Sequence, residues 1–435
     1  MGARARPGTR PGRRPHAGGR GVWSDAGALI GGQLLAQLAN LAALAWTARL
    51  LGAADFGLLQ IAVAAVSYLL VGAELGLFTH GVREVSRLDD AEAARAAVRG
   101  HGGLLLLLAG AGLLLGLPLL TLLPAHAHDP AVFRLYLLAL LPQAFMLDWV
   151  ALARGLPWIA GVGRAARSLV YAALVVTLAG GLDGAAGQPL RRWIPLLYLI
   201  SLIAGDALVW RLVRARVGGP LAPRWPGTDA ARALLRGAAP IGGAHLGRRL
   251  LFNVDLLLLG VWALPADAGR YAAAAKLAFP LVVGAEVVLG ALLPRLARAW
   301  ADGPAAYAAS LRRLLGGAAL LWAAGAAAGA AAGPWLLPRL FGAGFADAAG
   351  LARWLFPAYG LLGVGVLLHE AQIAADRARG ALIPLAAAAA AALLLGRLWI
   401  PTQGADGAAR AVILAHGLYA AGGLARCLLL LRGGR

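Results

Sequence analysis

About a dozen apolar stretches of roughly 20 residues each run along this chain, separated by short polar loops, and every second loop is rich in Arg. A bilayer core about 30 Å thick is crossed by about 20 helical residues. Only helices and closed barrels satisfy their backbone polar groups inside it. Because these stretches are continuous and rich in Leu and Ala, they indicate helices, and the pattern predicts an all-α membrane protein.

The apolar stretches predict twelve transmembrane helices in two lobes of six. The predicted spans lie near residues 26–50, 57–80, 101–123, 131–152, 165–180, 193–212, 237–262, 271–294, 313–332, 349–369, 381–400 and 408–431. The N-terminal lobe is predicted over 26–213 and the C-terminal lobe over 237–435. A Pro-containing cytoplasmic linker over 214–236 separates the lobes, and residues 1–25 are expected to form a disordered basic cytoplasmic tail. Residues 83–99 are expected to form a short amphipathic surface helix.

Charge along the chain predicts its orientation. The formal net charge is +20, and 27 Arg residues fall on the side of the N-terminus against eight on the opposite side. The positive-inside rule therefore places both termini in the cytoplasm of a bacterial inner membrane protein. The same excess favours anionic membrane lipids as partners and does not indicate nucleic acid.

Several kinds of chemistry are not expected from this sequence. The only cysteine, Cys427, lies in the last span, so neither a disulfide nor a cysteine-based metal site is predicted. No phosphate-binding Gly-Lys-Ser/Thr motif follows Gly52 or Gly57. His126, His128 and Asp129 share a short loop and are predicted to be solvated rather than to bind a metal. We expect no metal and no cofactor.

The opening of the chain resembles that of the polysaccharide transporter family. Residues 50–87 carry the family's features at these positions: Leu51, Gly52, Asp55, Phe56, Gly57, Glu74, Gly76, Leu77, Arg83 and Glu84. The second half agrees in order through Pro240, the run from Asp255, Gly269, Tyr271, Ala274, Lys276 and Pro294. The segments 340–348 and 399–409 also resemble loops of this family.

The resemblance implies a flippase of the multidrug/oligosaccharidyl-lipid/polysaccharide (MOP) superfamily. Such proteins are MATE-like: two lobes enclose a hydrated central cavity that opens to each side in turn. The implied substrate is an undecaprenyl-pyrophosphate-linked oligosaccharide repeat unit used in cell-surface polysaccharide synthesis. The implied partners are this lipid-linked oligosaccharide and the polysaccharide polymerase machinery.

Ionisable residues within the spans are the candidate site residues, since each costs about 2.5–3.5 kcal/mol at mid-bilayer. His245, Arg249 and Asn253 recur every four residues and share one helix face. Arg presents a planar fork that matches phosphate oxygens. For a pyrophosphate-linked substrate we therefore predict a cationic cavity. Its predicted lining is Arg249, Lys276, Arg248, Arg353 and Asn253.

Structural explanations for these charges remain open. Arg249 could pair with Asp148 or Asp206 across the lobe interface, and Arg248 lies seven residues from Asp255 on the same helix. Glu286, Asp255 and Asp206 are candidates for ion coupling, because a desolvated carboxylate can take up a proton. Each of these carboxylates could equally serve only as the partner of a buried donor.

Two other functions compete with the flippase hypothesis. The same fold could export drugs or other amphiphiles, which generally requires a more acidic cavity. A multispan glycosyltransferase or ligase could use the same lipid carrier, but such enzymes carry a large outer loop or an acidic catalytic motif. The short outer loops here favour a transporter over an enzyme.

Overall fold

The computed structural model describes residues 22–433, without the side chains of residues 22–26, 28–30, 285–294, 378–379 and 432–433. This part of the chain is helical almost throughout and contains no strand. Its α-helices are α1 (Val22–Glu74), α2 (Leu77–Val85), α3 (Ala91–Thr121), α4 (Pro130–Leu137), α5 (Leu140–Ala144), α6 (Asp148–Ala153), α7 (Pro157–Leu182), α8 (Leu190–Val217), α9 (Thr228–Trp262), α10 (Pro265–Ala278), α11 (Pro280–Ala301), α12 (Pro304–Phe341), α13 (Ala349–Ala374) and α14 (Ala378–Gly433). The predicted tail lies outside the described residues except for its last four, which begin α1.

Two of these helices are too long for one crossing and are broken at a glycine. Within α1, Gly52 has φ 73° and ψ 175°, and within α14, Gly404 has φ 54° and ψ −129°. Glycine adopts such positive φ values without steric cost. Each break divides its helix into two spans.

The helices of the described part of the chain form twelve membrane spans. Eight helical segments are long and apolar enough to cross a membrane, and the two broken ones count twice. The charged α9 and the pair α10–α11 supply the remaining two spans. The predicted twelve-helix all-α membrane fold is confirmed.

Several predicted boundaries are wrong. No separate surface helix covers residues 83–99, because α2 ends at Val85 and α3 already begins at Ala91, capped by the Asp90 side chain. The fourth span consists of three short helices, α4 to α6, instead of one. Within the predicted cytoplasmic linker over 214–236, residues 218–227 are non-helical, and the end of α8 and the start of α9 make up the rest.

The loops fall on two faces of the molecule. We call the face with residues 86–90, 155–156, 218–227, 302–303 and 375–377 the terminal face, because α1 starts and α14 ends there. The opposite face, with residues 52, 122–129, 183–189, 263–264, 342–348 and 404, is the distal face. The helices α1 to α8 form the first half and α9 to α14 the second.

The two halves cross closely beneath the distal face. A Cβ added to Gly57 in α1 would lie 1.8 Å from the Pro265 backbone oxygen of α10. Reciprocally, a Cβ added to Gly269 in α10 would lie 1.9 Å from the Ala53 oxygen. Gly57 thus contacts the residue four positions before Gly269, and Gly269 contacts the residue four positions before Gly57. Equivalent helices that cross with two-fold symmetry make contacts of this kind.

At the distal face of each half, one Arg bridges an Asp at the start of a span and an Asp in a loop, although the Arg comes from different positions in the two halves. In the first half Arg191 bridges Asp55, at 3.2 Å, and Asp129, at 2.8 Å. In the second half Arg270 bridges Asp267, at 2.9 Å, and Asp347, at 3.5 Å. Asp55 and Asp267 each lie near the start of the second span of their half.

Candidate functional site

The first half contains a buried ionic triad in its interior. Arg167 of α7 donates to Asp206 of α8 at 2.6 Å and to Asp148 of α6 at 2.8 Å. Both carboxylates are buried, and Asp148 Oδ2 has no hydrogen-bond partner among the described residues. Two carboxylates share one guanidinium, so the triad carries one negative charge in excess when both are ionised.

A polar cavity of about 250 Å³ borders this triad. Amide side chains at a helical spacing on α1 form one wall, and hydroxyl and guanidinium groups of α7 and α8 form the other. Its polar lining is Gln33, Gln37, Asn40, Arg164, Arg167, Ser168, Tyr171, Tyr198 and Ser201. This cavity was not predicted, although Gln33, Gln37 and Asn40 at spacings of four and three indicate a polar face within an apolar span.

Arg249 of α9 faces the first half across the lobe interface. Its backbone oxygen accepts a hydrogen bond from the Tyr68 hydroxyl of α1 at 3.2 Å. Its guanidinium interacts electrostatically with Tyr68, Glu74 and Tyr198, all of which belong to the first half. The half-buried Arg249 side chain therefore lies where the two lobes meet.

Lys276 of α10 lies near Arg249 at a similar depth. Arg249 is 13 residues from the distal end of α9, about 20 Å, and Lys276 is 11 residues from that of α10, about 16 Å. The two cations are close enough to repel each other electrostatically. The Lys276 ammonium lies 5.9 Å from the centre of the Phe279 ring. The structure thus brings together two of the five residues predicted to line a cationic cavity.

Neither cation forms an ion pair with a described carboxylate. No carboxylate oxygen of the described residues lies within 4.0 Å of the charged groups of Arg249 or Lys276. The nearby carboxylate of Asp255 is occupied otherwise, since it accepts hydrogen bonds from the Tyr271 hydroxyl and from the Leu256 amide. Glu74 lies within electrostatic range of Arg249, and Asp255 within range of Lys276, but neither carboxylate is close enough to form an ion pair. Two half-buried cations therefore lie near each other without an ion-pair partner among the described residues, which internal charges generally need.

The alternative ion pairs considered for these arginines are not formed. Arg249 does not pair with Asp148 or Asp206, because both are held by Arg167. Arg248 does not pair with Asp255, because its guanidinium lies 3.8 Å from Glu370 of α13 and is 43% exposed. The helical turn that points Arg249 to the interface directs Arg248 back into its own half.

The remaining predicted site residues are more dispersed. Asn253 is half-buried one turn from Arg249. Arg353 is exposed one turn into α13, about 6 Å from the distal end of that helix, so it does not reach the depth of Lys276. Asp206 and Asp255 are buried in separate halves. The Glu286 side chain lies outside the described residues.

The loop residue Asp129 is not solvated, contrary to expectation. It is 1% exposed and accepts hydrogen bonds from Arg191 at 2.8 Å and from Arg192 at 2.9 Å. Burial raises the pKa of Asp129, but the hydrogen bonds from Arg192 and Arg191 lower it more, and the resulting pKa is below its ordinary value. Asp129 therefore connects the loop before α4 to the start of α8. A hydropathy pattern gives no sign of this contact.

Comparison with known proteins identifies the family of this chain. The sequence model of the polysaccharide biosynthesis protein family matches residues 22–300, which is more than half of the chain. The chain matches none of the curated proteins with which it was compared.

Solved structures of transporters share the fold. An inward-facing multidrug resistance MATE family transporter of the MOP superfamily is 14% identical, with a TM-score of 0.74 over 94% of this chain and 98% of that one. An outward-facing MATE family transporter is 15% identical, with a TM-score of 0.62 over 94% of both chains. A MOP superfamily transporter from Pyrococcus furiosus, described by the reverse polarity of its binding pocket, is 14% identical, with a TM-score of 0.65 over 94% of both. The chain therefore belongs to the polysaccharide biosynthesis protein family and has the fold of the MOP superfamily transporters.

Proposed function

We propose that this transporter is a flippase for undecaprenyl-pyrophosphate-linked oligosaccharide repeat units. The observation that carries the proposal is the pair Arg249, at the lobe interface, and Lys276, close to it at a similar depth, neither of which forms an ion pair with a described carboxylate. A pyrophosphate supplies the ion-pair partner that the described carboxylates do not. The planar guanidinium of Arg249 binds phosphate oxygens through two parallel hydrogen bonds, and Lys276 contributes a point charge.

The polar cavity of the first half suits the sugar portion of such a substrate. Its amides and hydroxyls offer both donors and acceptors for sugar hydroxyl groups. Arg164 and Arg167 hold its floor in a fixed arrangement, since Arg164 bonds to Gln33 at 3.1 Å and Arg167 to the two aspartates. The lipid tail would remain in the bilayer while the polar head crosses between the lobes.

In the proposed orientation the terminal face is cytoplasmic and the membrane is the bacterial inner membrane. The Arg-rich segments 83–99 and 211–236, which are helix ends and loops at the terminal face, support this orientation, because cytoplasmic segments carry the excess of basic residues. The greater similarity to an inward-facing than to an outward-facing transporter supports a cavity that opens to the terminal face. Asp255, Asp206 and Glu286 remain the candidate ion-coupling residues.

The test is the outer-leaflet accessibility of the lipid-linked oligosaccharide in cells that lack this protein. Wild type should restore accessibility, and Arg249→Ala and Lys276→Ala should leave assembled repeats on the cytoplasmic leaflet. Arg249→Lys should restore it only partly, because it keeps the charge and loses the fork. Arg232→Ala is the matched control, since Arg232 is 66% exposed and pairs only with Asp229 at the surface.

Normal crossing of the repeats without this protein would reject the proposal. The second candidate is export of amphiphilic drugs, which the similarity to multidrug transporters favours. Drug susceptibility of the same strains distinguishes the two. Loss of resistance in the deletion strain with unchanged repeat accessibility would assign the protein to drug export.

A further inference from the structure

Three potential metal ligands meet near the terminal face, away from the lobe-interface cations. His80 and Glu84 lie one turn apart on α2, and His101 lies on α3. His80 Nδ1 is 3.4 Å from His101 Nε2, and each of these nitrogens is 3.6 Å from Glu84 Oε2. We call these three residues the α2–α3 cluster. The sequence alone predicts no metal site here, because only the packing of α2 on α3 brings His101 to the other two.

The spacing of the three ligand atoms fits one tetrahedral transition metal ion. With bonds of 2.0–2.1 Å, two ligands of a tetrahedral Zn²⁺ ion lie about 3.3–3.4 Å apart. The three separations in the cluster are within 0.3 Å of that value. Two imidazoles and one carboxylate form a ligand set that Zn²⁺ uses where it keeps a fourth, open position.

The orientation of His101 leaves the required lone pair free. His101 Nδ1 lies 3.0 Å from the Ala97 backbone oxygen, to which a protonated Nδ1 donates. This hydrogen bond places the lone pair of the neutral ring on Nε2, toward His80 and Glu84. A backbone carbonyl fixing the second nitrogen of a histidine is the usual outer-sphere arrangement of a metal ligand. The ring is fully buried and packs on Trp149 at 5.3 Å between ring centres.

Glu84 offers the third ligand atom without another use for it. Its Oε2 is buried and has no hydrogen-bond partner among the described residues. A carboxylate oxygen without a donor is costly when buried, and a bound cation removes that cost. The side chain as a whole is 38% exposed, so the cluster is accessible from one side.

The open side leads to a cavity of about 530 Å³ between α3 and the linker before α9. Glu84 and His101 line it together with Arg99, Arg224 and Trp225. We propose that His80, Glu84 and His101 bind one divalent transition metal ion of the Zn²⁺ class, with water from this cavity as the fourth ligand. The ion joins α2 to α3 at the terminal face.

The position of His80 gives such an ion a structural consequence. A Cβ added to Gly237 of α9 would lie 2.4 Å from His80 Nε2, so the ring also contacts the second half. An ion that holds the ring therefore stiffens the place where α2 meets α9.

The test is metal binding by the purified full-length protein, which carries an affinity tag without histidine. After dialysis against Zn²⁺, wild type should retain one ion per chain by elemental mass spectrometry. Co²⁺ in its place should produce the visible absorption bands of a tetrahedral site. His80→Gln and Glu84→Gln should each weaken Zn²⁺ binding by about 100-fold or more, since even an outer-sphere partner contributes 10- to 100-fold. His101→Gln should do the same.

His128→Gln is the matched control, because His128 is an exposed imidazole in the distal loop before α4. It should bind as wild type does. Wild-type protein that retains no Zn²⁺, or His80 and Glu84 variants that bind as tightly as wild type, would overturn the proposal and leave the cluster as histidines that share a proton. If His101→Gln does not fold, Zn²⁺ binding by wild type, His80→Gln and Glu84→Gln still tests the proposal. No readout depends on transport, so this test is independent of the proposed function.

Discussion

At the scale of single residues, some charged side chains of the interior could be predicted from the sequence and others could not. Arg249 and Lys276 could be predicted because a cation inside an apolar span is conspicuous. The burial of Arg167 could not be predicted, because its position in the sequence, near a terminal-face loop, assigns it to the basic residues of that loop. Its function depends on Asp148 and Asp206, which are distant in sequence and meet it only through the packing of α6, α7 and α8. Hydropathy gives the depth of a residue and does not give its partner.

Asp129 allows a test of stability at the residue scale. Asp129→Asn removes a buried carboxylate that accepts from two arginines, and we expect a loss of about 2–3 kcal/mol at neutral pH. Thermal unfolding in detergent, followed by Trp fluorescence, measures it. Asp347→Asn is the control, because Asp347 holds the equivalent place in the second half but its side chain is 82% exposed. Its free energy of unfolding should differ from that of wild type by no more than about 1 kcal/mol, the range of surface ion pairs.

The effect of Asp129→Asn should depend on pH in one direction. Because the pKa of Asp129 is lowered in the folded protein, its carboxylate stabilises the fold fully above the ordinary pKa of about 4. That stabilisation is lost as the pH falls through the lower folded-state pKa. The difference in unfolding temperature between wild type and Asp129→Asn should therefore be largest near neutral pH and should shrink below about pH 4. A difference that grows on acidification would contradict the assignment.

At the scale of elements, the crossing of α1 and α10 depends on the absence of side chains. Gly57 and Gly269 each lie against the backbone of the other helix, so no larger residue fits without moving a helix. Small residues at such crossings allow close backbone contact in membrane proteins. The sequence contains a local signal for this pair, since Ala-Asp-x-Gly occurs at residues 54–57 and again at 266–269. Only the structure shows that these two short repeats touch.

Gly57→Leu should open this crossing. The new side chain cannot fit against the Pro265 backbone, so α1 and α10 should separate below the distal face. Ile61 in α1 is a suitable reporter, because it is fully buried against Gly260 of α9. In a Cys427→Ser background, an Ile61→Cys residue should react several-fold faster with an impermeant maleimide applied to spheroplasts when Gly57→Leu is present.

Gly72→Leu is the matched control for this substitution. Gly72 lies on the same helix, and a Cβ there would meet no atom within 4 Å. Its labelling rate should equal that of the parent. Equal rates for the Gly57 and Gly72 variants would show that the crossing does not seal the distal side.

At the scale of the whole molecule, the two halves contact each other at the distal face through several elements. Arg49 of α1 donates through Nε to the Leu340 oxygen of α12 at 2.8 Å, and also to the Arg339 oxygen. Phe56 of α1 packs against Phe341 and Phe345 at ring-centre distances of 6.3 and 5.8 Å. These contacts join residues almost 300 positions apart, which no local sequence pattern could have predicted. A transporter that opens alternately to each side must break them in each cycle.

A disulfide across these contacts should therefore stop transport. A Cβ added to Gly342, in the loop after α12, would lie 4.0 Å from the Arg49 Cβ, within the 3.5–4.5 Å that disulfides require. We expect Arg49→Cys with Gly342→Cys, in the Cys427→Ser background, to cross-link on oxidation and to block outer-leaflet appearance of the lipid-linked oligosaccharide. Reduction should restore transport to the level of the unoxidised double variant. The two single-cysteine variants, treated with the same oxidant, report any effect of losing Arg49 or of placing a side chain at the positive φ of Gly342. Full transport by the cross-linked protein would show that the distal contacts persist through the cycle, and alternating access by separation of the halves at this face would then be wrong.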